Sequence, residues 1–260
     1  MLDPWKQAVR GVKPHLPPTD PEGTPTPNAV LGHAISARIG WDFAPIARTD
    51  TRAGGALLVG AGAAPEVVDD LLGRLDAPVP QHPYDAARLA WFGGLLDRAH
   101  RSQRWDEAWY QPIIAAQSAD ALLLQVPNHW AADIVAVHRA AARPLASLVG
   151  PGAVLGASFA GSDAIGGAEA DLVAAGTIVD LKVTATTKTR LRDLHQVLAF
   201  ALLDWDDRYD LTHLALAPVR FGVLVRWDLR ELVDEMAGGD VDLAWLRTDL
   251  RDHLTGPAPA

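Results

Sequence analysis

The chain has 260 residues, of which 49% are hydrophobic, contains no cysteine and carries a formal net charge of −9. This length and hydrophobic content allow a sizeable buried core, either in one large domain or in a core with a helical subdomain. The lack of cysteine excludes disulfides, thiolate zinc sites and cysteine nucleophiles, and the lack of a long apolar segment or a signal-peptide pattern favours a soluble cytoplasmic protein. The negative charge disfavours broad, non-specific attachment to nucleic acid.

The N-terminal part of the chain changes character at Asn28. Residues 1–27 are rich in proline, which predicts an extended N-terminal arm. From Asn28 onward, apolar residues recur at helical spacing, and asparagine is a favoured N-cap residue. Residues 28–43 are therefore predicted to form a first core helix.

Residues 44–149 are predicted to form a helical insertion or subdomain. Apolar residues at spacings of three and four are typical of amphipathic helices. Four segments of this region have that pattern: 65–75, 84–100, 118–126 and 128–148.

A glycine-rich stretch in the same region suggests an alternative function. The apolar residues 57–59 read as a strand, and Gly60 and Gly62 follow in a GxGxxA pattern, the turn that lets a backbone approach a pyrophosphate. A dinucleotide fold also needs a second strand that ends in an acidic residue about 20 residues later, and the proline-rich residues 77–83 occupy that place. Dinucleotide binding through Gly60 and Gly62 is therefore the weaker alternative.

Residues 150–255 are predicted to form the core that carries the chemistry. Short runs of β-branched and aromatic residues bounded by turn signals are typical of strands. Strands are predicted near 154–159, 168–174, 177–184, 211–217 and 222–227, and helices over 189–204, 229–236 and 243–253.

Two carboxylates and a lysine lie on two neighbouring predicted strands. Alternate residues of 177–184 share a face, so Asp180 and Lys182 lie on the same side. If residues 175–176 form a two-residue turn, Asp171 pairs with Asp180. Facing carboxylates repel unless a proton or a cation relieves them, and a hard divalent cation suits such oxygen ligands. A longer turn would shift the register and remove the pairing, which would leave a solvated strand face.

The next predicted helix adds Gln196 and, four residues later, Phe200. Two strands that carry D and DxK, followed by this helix, resemble the PD-(D/E)XK nuclease superfamily and, within it, the RecB-like branch, whose helix carries QxxxY. The resemblance covers residues 154–227. It implies an α/β fold with a restriction-endonuclease-like core, in which a central mixed β-sheet is flanked by helices, together with metal-dependent hydrolysis of DNA.

The resemblance also assigns roles by position. Asp171, Asp180 and the backbone carbonyl of Leu181 would bind Mg²⁺ or Mn²⁺, Lys182 would lie beside the scissile phosphate, and Gln196 would line the site. These residue types suit the chemistry, because carboxylates hold a cation that activates water and a lysine stabilises charge that develops on the phosphate.

The chain departs from the family pattern at three places. Ala170 stands where a proline often precedes the first aspartate, and Phe200 stands where the helix motif has tyrosine. The branch also has a histidine or glutamate on an early helix, and that ligand is unassigned here. Three residues are candidates for an additional ligand or a water-orienting role: His33, Asp163 and Glu169.

Three basic residues follow the strand pair. Lys188, Arg190 and Arg192 have no acidic residue among them and would bring positive charge to the mouth of the site, where they could bind phosphates. A solvated helix start is the alternative for this group. The expected partner is DNA, and RNA is a second substrate class. No membrane partner is expected. A homo-oligomer and a separate protein partner are both left open. The main alternative function is a catalytically inactive nucleic-acid- or protein-binding module of the same fold.

Overall fold

The chain forms two compact units. The sheet unit comprises Met1–Pro14 and Ala141–Ala260, and the helical unit comprises His15–Ala140. The protein is α/β, with a five-stranded mixed sheet flanked by helices. Within the described residues, no helix is both long and apolar enough to cross a membrane. The computed structural model describes residues 2–18, 28–43, 49–102, 107–148, 150–188 and 191–256.

The N-terminus begins with a helix, α1 (Asp3–Val9), where an extended arm was predicted. Pro4 does not interrupt it, because a proline in the first helical turn loses no intrahelical hydrogen bond. Trp5 and Val9, one turn apart, are both buried in the core of the sheet unit. Burial of this apolar pair stabilises a helix that the proline-rich composition did not indicate. Residues 19–27 of the predicted arm lie outside the described residues.

The described residues of the helical unit form helices and no strand. α2 (Asn28–Gly40), the predicted first core helix, lies in this unit. The helices predicted from apolar spacing are confirmed, with small shifts at their ends. The other helices of this region are α3 (Thr49–Gly60), α4 (Pro65–Asp76), α5 (Pro83–Ser102), α6 (Glu107–Ile114), α7 (Ala119–Leu124) and α8 (Asn128–Leu145), whose last residues belong to the sheet unit.

The strand predicted at residues 57–59 is wrong, because these residues form the last turns of α3. Gly54 of this helix lies so close to α5 that an added Cβ would be 2.2 Å from the carbonyl oxygen of Leu96. Close packing of the two helices therefore overrides the strand preference of the short apolar run. Gly60 is the last residue of α3 and Gly62 lies in the following turn. The strand needed before a pyrophosphate-binding turn is absent from the described residues of this unit, which removes the structural basis for dinucleotide binding.

The five strands of the sheet unit are neighbours in chain order. The pairs β1–β2, β2–β3 and β4–β5 are antiparallel, and β3 and β4 are parallel. A parallel pair requires a crossover connection, and α9 (Leu191–Leu203) supplies it. Two further helices, α10 (Leu229–Ala237) and α11 (Leu243–Thr255), follow the sheet. The strands are β1 (Val154–Ser158), β2 (Glu169–Ala174), β3 (Thr177–Lys182), β4 (His213–Pro218) and β5 (Val225–Asp228).

The turn between β2 and β3 has the two residues that the sequence predicted. Ala174 pairs with Thr177, and the turn residues Ala175 and Gly176 have positive φ values of 48° and 67°. Positive φ at both positions is characteristic of a type I′ turn, whose twist matches that of the flanking strands. This turn fixes the register that the site depends on.

One face of α9 is buried and the other carries polar residues. Leu194, Val197, Leu198 and Ala201 recur at spacings of three and four and belong to the core of the sheet unit. Phe200 is also buried, with its ring stacked on that of Phe159 at a centroid distance of 5.9 Å. The opposite phase of the helix includes positions 193 and 196, which are less buried.

Candidate functional site

Asp180 is a buried carboxylate near the end of β3. It is 6% exposed, and its Oδ2 lies 2.8 Å from Nζ of Lys182. This contact is a close ion pair without a well-directed hydrogen bond, because Oδ2 has no hydrogen-bond partner. Burial raises the pKa of Asp180 against the opposing attraction of Lys182, and the nearby Asp193 contributes to the rise.

Asp171 lies at the same end of the β2–β3 hairpin. The ladder between the two strands runs as far as the pair Leu172–Val179. One residue beyond this last pair, Oδ2 of the Asp171 carboxylate accepts a hydrogen bond of 2.7 Å from the backbone N–H of Leu181. The register is the predicted one, and the side chain of Asp171 reaches β3 at the residue next to Asp180.

Glu169 is the first residue of β2, where it pairs with Ser158 of β1. Its Oε2 is 3.8 Å from the position that a Cβ on Gly156 would take. On the side of β2 that faces β1, Glu169 therefore has Ser158 and Gly156 as neighbours.

Lys182 and Gln196 are brought together by the packing of α9. Lys182 Nζ is 3.4 Å from Oε1 of Gln196, to which it donates a hydrogen bond. It is also 3.7 Å from Oδ1 of Asp193, one helical turn before Gln196. The lysine therefore lies among oxygen atoms from both β3 and α9.

Asp193 was not among the residues that the sequence singled out. It directly follows Arg192 and interrupts the positive charge expected at the start of the helix, with its Oδ1 3.9 Å from Nε of Arg192. The available signal was its spacing of three residues from Gln196, since side chains at i and i+3 share a helix face.

The three basic residues proposed to bind phosphates are only partly described. Lys188 is exposed, and the side chain of Arg192 is 72% exposed. Arg190 lies outside the described residues. Lys188 ends a threonine-rich loop, residues 183–188, in which Thr186 Oγ1 accepts the N–H of Lys188 at 3.1 Å.

Two distant residues hold this loop in place. Arg220, which is 1% exposed, donates its Nε–H to the carbonyl of Val183 at 2.8 Å. Trp5 of α1 donates its indole N–H to the carbonyl of Thr187, also at 2.8 Å. No local pattern marks either contact, because the partners are far apart in the chain. Residues 183–188, the described part of this loop, are therefore anchored at Val183 and at Thr187.

Two of the candidates for an additional ligand, His33 and Asp163, belong to different units. His33 of α2 lies in the helical unit, with Nδ1 2.7 Å from Oδ2 of Asp97 on α5. Asp163 is an exposed residue of a 3-10 helix, Ser162–Ile165. In the described parts of the chain, no group of three or more histidine and acidic side chains is arranged to share a metal ion.

The oxygen atoms at the end of the hairpin fit a small divalent cation. Oδ2 of Asp180 is buried beside the Lys182 ammonium, and the Asp171 carboxylate reaches the neighbouring residue of β3. Carboxylate and carbonyl oxygens are the ligands that Mg²⁺ prefers, and it binds commonly through one or two carboxylates plus water and substrate phosphates. Asp171 and Asp180 are thus two carboxylates of the kind that Mg²⁺ and Mn²⁺ bind, at one end of the hairpin.

The comparisons with known proteins add no relative. No family model matches the chain, and neither a curated protein nor a solved structure is significantly similar to it.

Proposed function

We propose that the protein is a Mg²⁺- or Mn²⁺-dependent nuclease of the PD-(D/E)XK type that hydrolyses phosphodiester bonds in DNA. The observation that supports the proposal best is the convergence of Asp180, Lys182 and Gln196 at the end of one hairpin. The three residues come from a strand and a helix that are separated by a loop, so their proximity is a consequence of the fold. They are also the residue types and the order that the resemblance requires.

The sheet topology is compatible with a restriction-endonuclease-like core. Three antiparallel strands are followed by a crossover helix and by a strand parallel to the third. This arrangement brings the polar side of α9 to the end of β3, where the DxK residues lie. The core would be the sheet unit, and a cysteine-free chain suits the reducing cytoplasm in which we place the enzyme.

Each residue of the site has a defined part in the proposed reaction. The cation, when bound by Asp171, Asp180 and the carbonyl of Leu181, would supply Lewis acidity and lower the pKa of a bound water. Lys182 would stabilise negative charge that develops on the phosphate oxygens. Gln196 orients the lysine through its hydrogen bond of 3.4 Å.

The residues around the site would bind the substrate backbone. Lys188 and Arg192 are exposed, so their positive charges are available to phosphates. Such contacts position a nucleic acid without reading its sequence. Buried Arg220 and Trp5 would act indirectly, because they hold the loop that carries Lys188.

A cleavage assay tests the proposal. Purified protein is incubated with fluorescently labelled single-stranded DNA, double-stranded DNA and RNA, in Mg²⁺, in Mn²⁺ and in EDTA. We expect metal-dependent cleavage that Asp180→Asn removes and that Asp249→Asn, a change of an exposed carboxylate on α11, retains. Metal-independent binding to nucleic acid without cleavage under all conditions would instead support the inactive binding module.

A further inference from the structure

The ammonium group of Lys182 lies between two carboxylates from different elements. Asp180 Oδ2 on β3 is 2.8 Å away, and Asp193 Oδ1 on α9 is 3.7 Å away. The side chains of Lys182 and Asp193 are each 20% exposed, so their interaction is partly shielded from water and salt. A lysine ammonium has three N–H donors and can interact with both carboxylates.

The carboxylate of Asp180 would interact with both the Lys182 ammonium and the proposed cation. Asp180 is also assigned to the cation, so this inference rests on the proposed function. A divalent cation bound to Asp180 repels the ammonium of Lys182, because two positive charges then share one carboxylate. The flexible four-carbon stem of lysine allows the ammonium to shift away. The position that the Lys182 ammonium then takes depends on which other oxygen atoms lie near it.

Helix α9 supplies those oxygen atoms. Asp193 and Gln196 are three residues apart and lie on the same face of the helix, and each has an oxygen within 4 Å of Lys182 Nζ. The opposite face of α9 is packed in the core of the sheet unit. The helix therefore presents a carboxylate and an amide oxygen from a fixed position.

We propose that Asp193 is a positioning residue that retains Lys182 when the cation occupies Asp180. The lysine exchanges its contact with Asp180 for a closer one with Asp193 and stays beside the cation. In Asp193→Asn, the cation would have to displace the lysine from Asp180 without this second carboxylate to receive it. Asp193 therefore lowers the free-energy cost of cation binding and keeps the lysine next to the phosphate.

Two other roles for Asp193 give different expectations. Asp193 is the third residue of α9, where a negative charge is favourable next to the N-terminal end of the helix dipole. In that role it would affect the stability of the protein but not the affinity for the cation. As a direct metal ligand, it would affect the affinity whether or not Lys182 is present.

A double-mutant cycle on metal affinity separates these roles. The dissociation constant for Mn²⁺ is measured by titration calorimetry, without nucleic acid, for the wild type, Asp193→Asn, Lys182→Met and the double variant. We expect Asp193→Asn to weaken Mn²⁺ binding by about three- to tenfold in the wild type, which is the usual size of coupling between interacting residues. With Met at position 182, the same change should alter the affinity by less than about twofold, because no ammonium remains for Asp193 to retain and the two substitutions then act independently.

Glu231→Gln is the matched control. Glu231 is the third residue of α10, as Asp193 is of α9, and is exposed in the same unit. This variant should bind Mn²⁺ as the wild type does. Equal weakening by Asp193→Asn in both backgrounds would overturn the inference in favour of a direct ligand. Unchanged affinity in both would overturn it in favour of a helix-terminus role.

The cleavage rate distinguishes failure of the inference from failure of the proposed function. If the wild type binds Mn²⁺ and cleaves DNA while Asp193→Asn matches it in affinity and in kcat, only the inference is wrong. If the wild type neither binds Mn²⁺ nor cleaves, the proposed function is wrong and the inference falls with it. At saturating Mn²⁺, we expect Asp193→Asn to lower kcat while KM for DNA stays unchanged.

Discussion

The Nζ atom of Lys182 lies 2.8 Å from Oδ2 of Asp180, so the carboxylate and the lysine of the DxK motif form an ion pair along one face of β3. The two residues are two positions apart on a strand and therefore point to the same side. The pair is largely buried, and burial raises the pKa of the aspartate despite the lysine. A divalent cation at Asp180 would displace the lysine from this contact and would favour the ionised carboxylate.

Asp180→Ala is expected to abolish metal-dependent cleavage while the fold is retained. The change removes a ligand of the cation, the smaller alanine fits this buried position, and Lys182 keeps its contacts with Asp193 and Gln196. Cleavage is measured at several Mn²⁺ concentrations, and the fold is checked by circular dichroism. Asp249→Ala, on the surface of α11, is the control and should cleave normally. Retention of most activity by Asp180→Ala would falsify the assignment of the site.

Divalent metal is expected to raise the thermal midpoint of the wild type more than that of Asp171→Asn. A ligand that binds only the folded state stabilises it by mass action, by about 2.7 kcal/mol at 100 times its dissociation constant. The asparagine oxygen can still accept the N–H of Leu181, so the hairpin should remain intact. The midpoint is measured by differential scanning fluorimetry with and without Mg²⁺. Equal shifts in the two proteins would mean that the cation binds elsewhere.

Lys182→Met is expected to reduce the cleavage rate by roughly 10²- to 10³-fold, which is typical for the loss of one electrostatic donor at a reacting centre. Binding of the metal should be unchanged or tighter, because Asp180 loses the lysine that competes for its oxygen. Single-turnover kinetics at saturating DNA and metal measure the rate. A wild-type rate under these conditions would rule out a role for Lys182 in the chemistry.

Arg192→Ala should weaken substrate binding without changing the single-turnover rate. Its side chain is 72% exposed and its charge is suited to a phosphate contact. Loss of one such contact should reduce the slope of log affinity against log salt concentration by about 1. Affinity is measured by fluorescence anisotropy of labelled DNA at several salt concentrations with EDTA present. An unchanged salt slope would remove Arg192 from the substrate-binding residues.

Ala175→Asn is expected to stabilise the protein by about 0.5 to 1 kcal/mol. Ala175 has a φ of 48°, a conformation that costs a residue with a Cβ roughly 1 kcal/mol and that asparagine tolerates better. Gly176→Ala is the opposite change, because its Cβ would lie 3.0 Å from the carbonyl oxygen of Asp210 and its φ is 67°. Urea unfolding should show a higher free energy of unfolding for Ala175→Asn and a lower one for Gly176→Ala than for the wild type. The reverse order would contradict the type I′ turn.

The stability of the helical unit should depend on pH through Asp42. Burial opposes ionisation of this carboxyl, but hydrogen bonds and charges from His138 and Arg38 outweigh burial and lower its pKa. Because the pKa of Asp42 is lower in the folded than in the unfolded protein, its ionisation stabilises the fold at pH values above the unfolded pKa of about 3.9. This contribution is lost as the pH falls through the folded pKa. Asp42→Asn should therefore cost up to about 1 kcal/mol at pH 7, since more than a third of the side chain is exposed, and less near pH 3. A constant cost across this range would exclude the linkage.

The sequence by itself determined the order of the strands and of the longer helices from residue 150 onward and the register of the β2–β3 hairpin. Both depend on local physics, namely the period of apolar residues and a turn in which Gly176 adopts a positive φ. The placement of Asp171, Asp180 and Lys182 at one end of the hairpin follows from that register.

Only the tertiary structure decided the contacts between residues that are distant in the chain. It placed Asp193 beside Lys182, tied Arg220 to Val183, and turned residues 57–59 into a helix that packs against α5. None of these follows from local periodicity. They depend on which face of a helix is buried and on how closely two backbones approach, and these are set by the packing of the whole core.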